Sequence, residues 1–111
     1  MPLPIESIDQ MKNYLIKLME RADHHAKEVE AVCLSLVGAI IWKANKVEVR
    51  TYKGDMANQL WMMAGANWYS FTYGHESGTV DMKKDNHHGD VIHTFTNTSS
   101  AIEILSIFDK L

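Results

Sequence analysis

The stretch QLWMMAGANWYSFTY, residues 59–73, decides how this chain folds. Two short apolar runs rich in aromatic residues flank Gly65, and such composition broken by a glycine reads as two strands, 59–64 and 67–73, joined by a turn. Side chains alternate along a strand, so Leu60 and Met62 face away from Trp61 and Met63, and Tyr69 and Phe71 away from Trp68. Both faces of these central strands therefore carry bulky apolar groups, and one covering layer cannot hide both.

Upstream, Val47–Tyr52 alternates in the same way, with Val47, Val49 and Thr51 on one side and Glu48, Arg50 and Tyr52 on the other. Ala39–Ala44 has a similar texture, and the pair Asn45-Lys46 between them predicts a hairpin. Downstream, the loops 74–78 and 85–90 frame strands at 79–84 and 91–96. The expected sheet has five or six antiparallel strands, because consecutive strands are joined by short loops.

Helical periodicity marks both ends. From Ile8 to Leu36 the apolar residues step by three and four, including Met11, Leu15, Leu18, Val29, Val32 and Leu36. Ser7 and Gln10 have the spacing of a capping box, and so do Ser100 and Glu103 ahead of Leu105 and Phe108. An unbroken helix over 8–36 would measure about 43 Å, longer than a domain of this size can cover. It must kink, project or meet a partner, with Asp23-His24-His25 the weakest step and Gly38 the expected end. The reading is α+β: a long N-terminal helix, an antiparallel sheet and a short C-terminal helix in a two-layer sandwich. No repeat or linker divides the chain, so residues 1–111 are expected to form one domain.

Composition narrows the function. With 111 residues, 46% hydrophobic, the chain can bury a core without disulfides or metal. A net charge of −3 with interspersed signs gives no basic stripe for nucleic acid. No apolar run approaches the roughly 20 residues of a membrane span, and the start lacks the pattern of an export signal, so a cytoplasmic, non-membrane protein is expected. The single cysteine, Cys33, lies in an apolar helical pattern and suits a buried thiol in a reducing compartment. Asn97-Thr98-Ser99 matches a glycosylation sequon that such a compartment leaves idle.

The segments Val47–Gly54, Leu60–Met63, Trp68–His75 and Thr94–Asn97, with the closing run Ala101–Phe108, resemble the small hypothetical proteins encoded by bacterial integron gene cassettes. The resemblance covers the texture of residues 39–111. It implies a bacterial accessory protein of unknown function carried on a mobile genetic element, and no catalytic or ligand residue comes with it.

Catalytic chemistry finds little footing. Six histidines suggest metal, yet His24 and His25 are adjacent and diverge by about 100° on a helix. His87 and His88, with Asp85, Asp90 and His93 nearby, sit among residues that a turn requires in any case, and the turn reading outweighs the metal reading. No nucleophile elbow, phosphate loop or dinucleotide fingerprint occurs. No metal and no cofactor is expected.

The candidate ligand or interface residues are Trp61, Trp68, Tyr69, Phe71, Tyr73, His75 and His93. The leading expectation is a non-enzymatic binding module that forms a homodimer through the free sheet face or the projecting half of the first helix. The rival is a small-molecule pocket beneath the helices, lined by Trp61, Trp68 and Tyr73, with His75 or His93 as acid/base. An antitoxin-like binder of a protein partner is a third reading.

Overall fold

A computed structural model describes residues 2–25, 30–52, 55–74, 78–85 and 90–111. The elements run β1 (Pro2–Ile5), α1 (Ile8–His25), α2 (Glu30–Lys43), β2 (Lys46–Tyr52), β3 (Asp55–Ala64), β4 (Asn67–Gly74), β5 (Thr79–Lys84), β6 (Val91–Phe95) and α3 (Ala101–Asp109). Among the described residues the strands form one six-stranded sheet in chain order. Every neighbouring pair is antiparallel. The α+β class and the antiparallel sheet expected from the sequence are present.

The periodicity predicts one long first helix over 8–36, and the described residues form two helices instead. Helix occupies Ile8–His25 and again Glu30–Lys43. Ile8 and Met11 of α1 line a common groove with Ile41 of α2 and with Ala44 just beyond it, which brings the start of α1 beside the end of α2. The greatest extent of the molecule is 33 Å, shorter than the single helix would be. Residues 26–29, where the run was expected to continue, lie outside the described residues.

The expected strand at 39–44 is also corrected, because α2 passes through Gly38 and continues to Lys43. A glycine inside a helix costs only about 1 kcal/mol relative to alanine and does not by itself stop one. Val32, Cys33, Leu36 and Ile40 share the buried side of α2, and this packing overrides the strand propensity of Ile40-Ile41-Trp42. The sixth strand is instead β1, whose Pro2 and Pro4 argue against a strand in general. An edge strand tolerates both prolines, and their missing N–H groups blunt the open edge.

Local chemistry fixes the joints. Ser7 Oγ accepts the Gln10 N–H at 3.2 Å, while Gln10 Oε1 accepts the Glu6 N–H. Asn45 turns the chain from α2 into β2; its N–H donates to Met63 O and its Nδ2 to Gly65 O, which ties the joint to the β3–β4 turn. Gly65 sits at φ +63°, which explains the glycine at that hairpin. Ser100 Oγ caps α3 by accepting the Glu103 N–H.

One face of the sheet and all three helices share one buried cluster. Val49, Leu60, Met62, Tyr69, Phe71, Val80, Met82 and Phe95 come from the sheet; Met11, Tyr14, Leu36, Ile40, Ile104 and Phe108 come from the helices. Phe108 is fully buried, stacked on Phe71 at 5.9 Å and tilted against Phe95 at 6.5 Å. These three rings lock α3 to the sheet.

Candidate binding surfaces

The alternation in residues 59–73 places the candidate residues on opposite faces of the sheet. Tyr69 and Phe71 belong to the core beneath the helices. Trp61 and Trp68 point to the outer face, beyond reach of any pocket beneath the helices. Tyr73 pairs with Val80 through the backbone, and its side chain is outside the described residues, as is His75. His93 is exposed on β6, 6.2 Å from the Phe95 ring. Among the described residues, Tyr69 and Phe71 are therefore on the opposite sheet face from Trp61 and Trp68.

The outer face closes over its own aromatic groups. Trp61 is only 7% exposed. Its Nε1 donates to Gln59 Oε1 at 3.3 Å, and Gln59 Nε2 donates to Thr72 Oγ1. Ser70, the cross-strand partner of Trp61, is fully buried, and its Oγ has no hydrogen-bond partner among the described residues. A small serine opposite a tryptophan lets the indole lie across the neighbouring strand. Met63 and Trp68, paired across the same strands, are partly buried, and Glu48, Asp81 and Lys83 share this face. A broad apolar sheet face, the premise for docking there, is not what these residues form.

Among the described residues the sheet exposes Val91 and Ile92 on β6, and most of the other exposed large apolar side chains lie on the helices. On α2, Leu34, Ile41 and Trp42 are more than half exposed; on α3, so are Ile102 and Leu105. Their spacing places each set opposite the buried side of its own helix. Lys43 Nζ lies 5.0 Å above the Trp42 ring and covers part of it. Between Leu34 and Ile41 stand Ser35 and Gly38, both exposed, so the helix backbone is approachable along this stripe. The sequence signal was available: α2 is apolar on all sides, and a helix of that kind hides its outer side only when something covers it.

A second feature is a groove of about 500 Å³ between the start of α1 and the end of α2. Ile5, Met11 and Leu15 form one side, Val37, Ile41 and Ala44 the other, and Val47 of β2 also lines it. Glu6, Lys12 and Lys46 bring charge to the same lining. No local pattern marks this site, since its lining comes from two separate segments, residues 5–15 and 37–47.

The titratable groups are bland by comparison. Cys33 is buried, and loss of hydration pushes its thiol from 9.0 up to about 12, so it stays protonated at neutral pH and is a poor nucleophile. Among the described residues no three of His, Cys, Asp or Glu gather where a metal could sit. His87 and His88 lie outside the described residues. No helix among the described residues is long and apolar enough to cross a membrane.

The chain matches the family described as "Integron cassette protein VCH_CASS1 chain" over residues 11–105, and it belongs to that family. The resemblance read in residues 39–111 thus holds. The match also takes in most of α1 and all of α2, which the sequence resemblance left aside. No curated protein matches the chain.

Proposed function

We propose that this integron cassette protein is a non-enzymatic interaction module that acts as a homodimer, with the outer sides of α2 and α3 as its seat. In this reading residues 1–111 form one domain, a two-layer sandwich whose helices cover a single sheet face. The buried, protonated Cys33 suits the reducing cytoplasm.

The observation that carries the reading is the exposure of Leu34, Ile41, Trp42, Ile102 and Leu105 on neighbouring helices. Together they present on the order of 600 Å² per copy, so a symmetric pair would bury about 1,200 Å², the low end of specific interfaces. An isologous contact places each copy's stripe on the other's and needs no second gene product. Tryptophan is enriched among residues that dominate such contacts, and Trp42 lies within the patch.

Light scattering over a concentration series tests this. The wild type should approach twice the 12.6 kDa of one chain. Trp42→Glu or Ile102→Glu should return it to monomer with an unchanged circular dichroism spectrum, because both positions are exposed. A wild-type mass that stays monomeric at 100-fold dilution steps up to high micromolar would overturn the dimer.

A further inference from the structure

Separate from the proposed dimer seat, the groove between α1 and α2 combines an apolar lining with cationic groups. We propose that it binds a monoanionic amphiphile: an unbranched carboxylate whose hydrocarbon lies between the two helices and whose head group meets Lys12 and Lys46. The proposal does not rest on the dimer, whose seat shares only Ile41 with the groove.

Shape supports the apolar body. The volume of about 500 Å³ falls within the range of ligand sites, and Met11, Leu15, Val37 and Val47 give a hydrocarbon chain apolar walls. Ile8, at the groove and 84% exposed, extends that surface without serving the protein's own core.

Charge selects the head group. Among the described lining residues Lys12 and Lys46, both exposed, stand against one carboxylate, that of Glu6, so these residues are net positive in a chain whose net charge is −3. The first turn of α1 is already occupied, since Ser7 Oγ accepts from Gln10 N and Gln10 Oε1 from Glu6 N. The ammonium groups, rather than the helix N-terminus, are left to meet an anion. A cationic amphiphile would place like charge beside them. Among the described residues the lining has no aromatic ring on which a nucleobase could stack.

The test is a methyl-resolved NMR titration of the full chain with decanoate below its aggregation concentration, alongside 1-decanol and decyltrimethylammonium. Decanoate should shift the methyl signals of Ile5, Ile8, Val37 and Ile41, leave those of Ile102 in place, and bind at least about tenfold more tightly than the cation. The double variant Lys12→Gln/Lys46→Gln, altered only at exposed positions, should lose that preference while its affinity for 1-decanol is unchanged. The proposal is overturned if decanoate leaves the groove methyls unmoved, shifts mainly other residues, or keeps its preference in the double variant. None of these outcomes depends on the solution mass, so failure here is distinguishable from failure of the dimer.

Discussion

Replacing Gly38 by alanine separates the intrinsic cost of this residue from its use. Gly38 lies inside α2, exposed, and a Cβ built there meets nothing within 4 Å. Its φ is not in the left-handed region, so no conformational reason requires glycine. Within one subunit the substitution should therefore stabilise by about 0.5–1 kcal/mol, the helix-propensity difference, because the unfolded chain loses freedom and no contact is strained. Urea unfolding at a protein concentration dilute enough for monomer should show a higher midpoint with an unchanged slope. By heat, 1 kcal/mol in a domain of this size corresponds to a rise of about 4–8 °C. The same methyl projects from the stripe bounded by Leu34 and Ile41, where we seat the second copy. Since it meets none of the described residues of its own subunit, a weakening of association, read by light scattering, reports a neighbour from another chain. A lower monomer midpoint would refute the open, strain-free position of Gly38, and a higher midpoint with unaltered association would remove Gly38 from the seat.

Two further outcomes probe the joints and the core. Asn97 Oδ1 accepts the Val32 N–H at 3.0 Å, capping the start of α2 from a residue 65 positions away. Asn97→Ala should cost about 1 kcal/mol in urea unfolding, whereas Asn97→Asp keeps the acceptor and adds a charge favoured at a helix N-terminus; equal losses in both variants would dismiss the cap. Cys33 gives a pH signature: its folded pKa is raised to about 12 from 9.0, so its contribution is complete below pH 9 and is lost as pH rises from 9 towards 12. Stability should fall over that window by up to about 1.4 kcal/mol per pH unit, and Cys33→Ala should remove that part of the slope; an identical slope in both proteins would place the thiol in a hydrated setting.

Much of the fold was legible where local patterns carried it. Strand alternation in residues 47–52, 59–64, 67–73, 79–84 and 91–96 corresponds to β2 to β6, and the Ser100–Glu103 box marks the start of α3. The misreadings arose where tertiary contacts decide. Ala39–Ala44 has strand-forming residues, but Leu36 and Ile40 continue the buried side of α2 from Val32 and Cys33. Pro2 and Pro4 deny a strand in a sheet interior and permit one at an edge, and nothing local says which applies. Asn97 read as an idle sequon acts as a cap, a role that depends on a contact invisible in one dimension.

Alternation states that Trp61 and Tyr69 face opposite ways, and they do, but it does not state how much water reaches either. Trp61 is covered because its cross-strand partner is the small Ser70 and its indole nitrogen is held by Gln59. The sheet thereby disposes of its own aromatic groups with neighbours in the same chain. Helix α2 has no such means, since residues on its outer side project beyond the neighbouring helices, and its apolar character on all sides leaves Leu34, Ile41 and Trp42 in water. Exposed apolar side chains scattered singly need no explanation, whereas Leu34, Ile41 and Trp42, with Ile102 and Leu105 on the contacting α3, are the side chains on which the proposed association rests.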